Sequence, residues 1–181
     1  MLSKEILRKK FSLIRKKNYF EVKQNFFSPI LKIIKTKNLR NIACYYPSNN
    51  ELSTLKLFEL LNSNKRISIL LPCISKGSMK FAKWNLQEPL KVNNFGFLEP
   101  IQTSKTLKPD LIVAPLLAFD KSKNRLGYGK GYYDKFLKKN KKTITIGIAF
   151  SFQKYNKIKT SNYDIKPVSY THLTLPTSRS V

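Results

Sequence analysis

Residues 110–137 read DLIVAPLLAFDKSKNRLGYGKGYYDKFL. The run at 111–119 is apolar throughout, a polar loop follows, and Gly127, Gly129 and Gly131 then lead into a segment with helical spacing. That order is a buried strand, a glycine loop and a helix start. Glycines let backbone N–H groups approach an anion, and the first turn of a helix offers unpaired donors and the positive end of its dipole. The stretch is therefore read as a phosphate-binding site within an α/β fold.

Outward from it, strands and helices alternate. Residues 3–18 place Ile6, Leu7, Phe11 and Ile14 at helical spacing behind a capping Ser3, with Lys4 and Arg8 four apart on one side. That pair is either a solvated face or two cations reaching a phosphate chain. Residues 20–36 read as a second helical region disturbed near Pro29, and 41–46 as a strand ended by Pro47. In 49–63, Leu52, Leu55, Phe58 and Leu61 have helical spacing, with Glu51 near the expected helix start, where a carboxylate is a capping charge or a ligand contact past a strand end. Residues 66–73 form a buried strand with Pro72 at its end, 79–84 a shorter strand, and 90–100 an irregular crossing segment. Met79, Phe81 and Trp84 read as core rather than as a ring-binding pocket. A helix over 131–140 buries Tyr132, Tyr133, Phe136 and Leu137, a β-branched strand occupies 143–151, and Asp164 precedes a final short strand. The alternation argues a mainly parallel sheet with helices on its faces.

At 181 residues and 41% apolar, the chain can bury one sizeable core, so one domain is expected. No apolar run approaches the roughly 20 residues of a spanning helix, and the N-terminus lacks the apolar centre of a secretory signal, so a soluble, cytoplasmic protein with no membrane partner is expected. Cys44 and Cys73 lie in strand-like runs without metal or redox spacing and are read as reduced, buried thiols. The net charge of +25 is spread from Lys4 to Lys166, which argues a dispersed basic surface and no nucleic-acid groove, while still favouring polyanionic small molecules. Lysine disappears after Lys166, and the end, VSYTHLTLPTSRSV (168–181), is similar to a translated sequencing adapter. The expectation is that residues 1–167 form the domain and that 168–181 are a non-native tail. His172, the only histidine, lies in that tail and receives no catalytic role.

The glycine spacing is neither a Walker loop nor the dinucleotide fingerprint. Its neighbours carry the chemistry: Arg125 before the loop, Lys130 inside it and Asp134 in the first helical turn. Two cations for phosphate oxygens and a carboxylate for Mg²⁺ are the minimum set for phosphoryl transfer.

At these residues PLLAFDKSKNRLGYGKGYYDKFL (115–137) resembles the signature of the 5-formyltetrahydrofolate cyclo-ligases. The similarity extends to KEILR (4–8), YYPSNNELST (45–54), the LP ending at Pro72, GFLEP (96–100) and GIAFSFQ (147–153) with the following Asp164. The resemblance implies a single-domain, Rossmann-like three-layer α/β sandwich, acting as a monomer. It implies that Lys4, Arg8 and the loop Arg125, Leu126, Gly127, Tyr128, Gly129, Lys130, Gly131, Tyr132 and Tyr133 bind ATP. Tyr46, Glu51, Tyr128, Gly129, Lys130, Gly131 and Tyr132 would line the folate side, and Met79 and Trp84 would border the same pocket. Asp134 and Asp164 would hold Mg²⁺, while Lys130 and Arg125 would be catalytic. The implied reaction closes 5-formyltetrahydrofolate to 5,10-methenyltetrahydrofolate, with ATP converted to ADP and phosphate. Two other classes stay open: a folate- or nucleotide-binding relative without turnover, and a basic nucleic-acid-binding protein.

Overall fold

The computed structural model of the chain describes residues 2–101, 105–161, 164–165 and 169–173. Helix α1 (Lys4–Asn18) starts where Ser3 Oγ accepts the Ile6 N–H at 3.3 Å, and its buried side is Leu7, Phe11 and Arg15, one residue per turn. A short 3-10 turn (Gln24–Phe27) runs into α2 (Ser28–Thr36). Pro29 begins this helix instead of disturbing one, because the first turn has no use for the N–H that proline lacks. There follow β1 (Asn41–Ala43), α3 (Leu55–Asn62), β2 (Ser68–Ser75), β3 (Ser78–Lys83), β4 (Leu90–Val92), β5 (Leu98–Pro100), β6 (Leu111–Ala114), β7 (Ala118–Phe119), β8 (Arg125–Leu126), α4 (Tyr132–Lys139), β9 (Ile144–Phe150) and β10 (Ser169–Leu173).

The main sheet runs β10-β9-β6-β1-β2-β3, parallel except for β3, which returns antiparallel to β2. The fold is thus mixed α/β around a mostly parallel sheet. Both sheet faces are covered, which is why β6 reads as an unbroken apolar run with no alternation. Ile42, Ile69, Leu111, Val113 and Ile146 share a core with Phe27, Ile30, Phe58 and Leu61 from the α2–α3 side. Ala43, Leu70, Ile112 and Ala114 face the other way, onto Leu137, Tyr133 and Phe136 of α4.

Four local expectations change. Strand β1 stops at Ala43, though the Cys44 N–H still reaches Leu70 O at 2.9 Å. Pro72 lies inside β2, opposite Phe81, not at its end. Its imide nitrogen faces the same side as Leu70 O, past the last β1–β2 pair at Ala43 and Leu70, so no ladder bond is lost there. Residues 90–100 are a β4–β5 hairpin, not an irregular crossing: Asn93 Oδ1 accepts from the Phe95 and Phe97 amides, and the turn closes with Gly96 at φ +78°. The apolar run at 111–119 divides into two strands of different sheets. Gln153, 1% exposed, donates to Leu116 O and Leu117 O and accepts from the Phe150 amide, holding the chain out of β6 and into the β7–β8 hairpin.

Cys44 is fully buried and Cys73 only half-buried. No helix among the described residues is long and apolar enough to cross a membrane. The expected boundary at Pro167 and tail residues 174–181 lie outside the described residues. Residues 169–173 pair in parallel with Ile146–Phe150, so the last strand of the sheet is drawn from the segment that differs in composition from the rest.

Candidate active site

Strand order reverses between β6 and β1, and open parallel sheets leave a crevice at such a point beyond the carboxyl ends of the strands. A cavity of about 480 Å³ lies there. Tyr45 and Tyr46 come from beyond β1, Pro72 and Ile74 from β2, Pro115 from beyond β6, and the glycine loop closes one side.

The loop is built by a carboxylate at its base. Asp120, 3% exposed, accepts from the Asn124 amide at 2.9 Å, Asn124 Nδ2 at 2.8 Å and the Ile158 amide at 2.9 Å. Burial works against its ionisation, yet these hydrogen bonds outweigh it and hold the carboxyl below its ordinary range. Arg125 then enters β8 with its side chain 5% exposed, Nη2 donating to Asp134 Oδ1 at 2.8 Å and its guanidinium over the Tyr133 ring at 5.4 Å. Arg125 lines the cavity, and its Nη1 is a buried donor without a partner among the described residues.

Gly129 adopts φ +98° and lies under Arg8: an added Cβ would stand 3.0 Å from Arg8 Cζ. Arg8 Nε donates to Gly127 O at 3.0 Å, so α1 and the glycine loop are fastened to each other. Gly131, at φ +67°, caps α4 and leaves open space where a Cβ would be. Lys4 also faces the cavity and pairs with Asp164 Oδ2 at 2.7 Å. The four-residue spacing of Lys4 and Arg8 thus places both on the cavity, each already engaged with a neighbour.

Asp134 and Asp164 meet at the same wall, because Asp134 Oδ1 also accepts from the Ile165 amide at 3.2 Å. Asp164 Oδ2 takes Lys4 and the Ser161 amide and hydroxyl. Burial opposes its charge, but these donors prevail and its carboxyl titrates below the usual range. The bonds described fall on Oδ1 of Asp134 and Oδ2 of Asp164, leaving the other oxygen of each for a cation. No cluster of three ligating side chains occurs among the described residues. Two carboxylates fit a Mg²⁺ that brings phosphate oxygens and water with it, and do not fit a closed resident metal site.

On the opposite wall Glu51 is 5% exposed. It does not cap α3, whose first turn begins four residues later behind Thr54; it lies in a loop where Asn49 and Asn50 are both left-handed. Its Oε2 accepts the Ser48 amide at 2.9 Å, and its Oε1 accepts the Tyr128 hydroxyl. Burial raises its carboxyl above the ordinary value against the pull of Tyr128, Ser48 and Arg15. Tyr46 packs against both Phe58 and Trp84, which also touch each other. Met79 reaches the cavity, whereas Phe81 and Trp84 are core, Trp84 with Nε1 donating to Glu88 O at 3.0 Å.

Sequence reasoning missed the hairpin. Phe95 stacks near Lys130, with Nζ 5.2 Å from its ring centroid, and near Tyr132, while Phe97 meets Tyr128. The Asn-Asn-Phe-Gly turn between two short apolar segments was the available signal. Arg15 was missed as well, because one more cation on a helix rich in lysine and arginine gives no sign of being buried.

A model of the 5-formyltetrahydrofolate cyclo-ligase family matches residues 2–169. The cyclo-ligase of Haemophilus influenzae is 32% identical over 154 residues, covering 80% of this chain and 82% of that protein. The Mycoplasma pneumoniae cyclo-ligase is 34% identical over 84% of this chain and 85% of its own. Among solved structures, the 5,10-methenyltetrahydrofolate synthetase of Aquifex aeolicus superposes with a TM-score of 0.76 at 28% identity, covering 94% of this chain and 90% of that one. That of Mycoplasma pneumoniae gives 0.72 at 25%, covering 94% and 98%.

Proposed function

The chain belongs to the 5-formyltetrahydrofolate cyclo-ligase family, and from that premise we propose that it closes 5-formyltetrahydrofolate to 5,10-methenyltetrahydrofolate at the cost of ATP, in one Rossmann-like three-layer domain acting as a monomer. The carrying observation is Arg125. Its guanidinium belongs to a residue that lines the cavity, is fixed through Nη2 by Asp134, and keeps Nη1 buried and without a partner among the described residues, which suits an anion bound beside it.

The formyl oxygen is amide-like and a poor leaving group. Transfer of the γ-phosphoryl group to it breaks the terminal phosphoanhydride bond and releases ADP. N10 then attacks the activated formyl carbon and gives up its proton to solvent, and phosphate leaves with the oxygen. Lys130 and Arg125 neutralise charge on the moving phosphoryl group, and the glycine-loop amides and the start of α4 hold its oxygens. Lys4 and Arg8 bind the nucleotide's phosphate chain, Tyr46 and Glu51 the folate side, and Tyr128 spans both. Asp134 and Asp164 would hold Mg²⁺ brought with ATP, which supplies further charge neutralisation. No protein nucleophile is needed, so positioning and electrostatics carry the rate.

The test is to incubate the protein with 5-formyltetrahydrofolate, ATP and Mg²⁺ and follow the near-ultraviolet absorbance of the methenyl product. ATP-dependent growth is expected. Tight folate binding without growth would leave a non-catalytic relative, and sink the reaction proposed.

A further inference from the structure

Arg15 contributes nothing to the cavity surface, yet it is the largest fully buried side chain of α1, at 1% exposure. Its partners are neutral. Nη1 donates to the Tyr128 hydroxyl at 2.7 Å, Nη2 to Asn49 O at 2.6 Å, and its guanidinium carbon lies 5.6 Å from the Tyr128 ring centroid. Nε is buried without a partner among the described residues. Burying a charge on such terms is a poor source of stability. What the arrangement does supply is direction.

A guanidinium donates and cannot accept. The Tyr128 oxygen, receiving the Arg15 proton, therefore has its own proton free to go elsewhere, and it goes to Glu51 Oε1. Glu51 Oε2 is meanwhile taken by the Ser48 amide. Each group in the series Arg15, Tyr128, Glu51 donates to the next, and the last can only accept. The same guanidinium grips Asn49 O in the left-handed turn that carries Glu51, so one side chain of α1 ties the glycine loop to the opposite wall.

We propose that Arg15 is a positioning residue, which fixes the Tyr128 proton toward Glu51 and so holds Glu51 as an acceptor-only carboxylate for the N–H edge of the substrate's reduced pterin ring. The identity of that substrate rests on the reading of the reaction given above; the relay itself does not. Glu51 is faced by Arg15 of α1, Tyr128 of the glycine loop, Ser48 of its own loop, Tyr45 beyond β1 and Tyr133 of α4. Burial pushes its carboxyl up, and Arg15 pulls it down. Removing the cation moves its titration to higher pH.

The experiment compares the full chain with Arg15→Met and Arg15→Lys. In ligand-free protein, the Glu51 side-chain carboxyl is titrated by carbon-13 NMR, its signal assigned by its loss in Glu51→Gln. Arg15→Met should titrate at higher pH than the unaltered chain, while Arg15→Lys, which keeps the charge and a donor, should return most of the way. In turnover, Arg15→Met should raise KM for 5-formyltetrahydrofolate about tenfold, with kcat changed far less, and shift the acidic limb of kcat/KM upward. If Arg15→Met does not fold, Arg15→Gln takes its place, since its amide is neutral and can accept the Tyr128 proton. An unmoved Glu51 titration in whichever neutral variant folds overturns the proposal. So does a fall in kcat with KM and the acidic limb unchanged, the result of a merely structural role. Absence of methenyl product from the unaltered chain would overturn the reaction instead, and the NMR titration would still decide Arg15.

Discussion

Gly129 shows how tightly single residues define the side of the cavity proposed to take the nucleotide. Its φ of +98° excludes ordinary side chains, and the space its missing Cβ leaves is filled by the Arg8 guanidinium. Gly129→Ala should cost about 1–2 kcal/mol of stability from backbone strain and, by pushing Arg8 aside, raise KM for ATP more than KM for the folate. Denaturant unfolding and initial-rate kinetics read the two effects; an unchanged KM for ATP would dissociate Arg8 from the nucleotide. Lys130 is a different case, since its ammonium rests over the Phe95 ring and makes no ion pair among the described residues. Lys130→Ala should leave the thermal midpoint nearly unchanged and lower kcat by about 10² to 10³, the scale on which one preorganised electrostatic donor acts. Near-normal turnover would refute its role. These residues were legible in the sequence because positive-φ glycines and flanking cations leave a local pattern. Arg15 and the Arg125–Asp134 pair were not, because a side chain's partner across the fold leaves no trace in spacing.

Elements decide whether those residues are held in place. The β4–β5 hairpin covers the cavity with Phe95 and Phe97, and its anchor is Glu99, 4% exposed, which accepts the Ile74 amide at 3.0 Å and Asn93 Nδ2 at 3.1 Å. Glu99→Ala would leave the half-buried Ile74 amide and the Asn93 side chain without this acceptor, at about 1 kcal/mol or more. The hairpin should then loosen, seen as faster proteolytic cleavage near residues 93–97 and a raised KM for the folate, with the β-sheet circular dichroism retained. The β7–β8 loop depends on Asp120 in the same way, and its dependence has a pH signature. A carboxyl held below its ordinary value stabilises the fold above its unfolded-state pKa, and that contribution is lost as pH falls through its folded-state pKa. Asp164 contributes with the same sign, whereas Glu51, raised by burial, costs stability as pH rises above the usual carboxylate range. In Asp120→Asn the acid-side fall in unfolding free energy should be shallower than in the unaltered chain, from a lower neutral-pH value. Parallel acid limbs in urea titrations would remove Asp120 from this account. Periodicity found the long elements here, α1, α4 and β9, because each has a continuous amphipathic or apolar run. It misread residues 90–100 and 111–119, where three-residue strands and the pull of Gln153 on Leu116 and Leu117 override local pattern.

At the scale of the whole molecule, the dependence that matters runs along the β9 edge of the sheet. Strand β9 has six buried positions in its seven residues, and its outer edge is paired from Ile146 to Phe150 with β10, the strand supplied by the end of the chain whose composition differs from the rest. Asp164, proposed to hold Mg²⁺, stands between those two strands and is tethered by Lys4 and Ser161. A chain ending at Pro167 would leave β9 as a long apolar edge, which invites pairing with other chains. Each of the ladder groups left open would turn to water or to a neighbour, and Asp164 would lose the strand that follows it. Deletion of 168–181 should therefore lower the thermal midpoint by several degrees, raise the aggregating fraction on heating, and weaken ATP turnover through KM for Mg·ATP before kcat. If 168–181 are a non-native tail, replacing them with the end encoded by the uninterrupted parent locus should raise the midpoint above that of the present chain, since an evolved edge strand is selected for its packing on β9. A midpoint unchanged by deletion would show that β10 adds nothing to the fold, and a parent locus reading unbroken through Val181 would make the tail native.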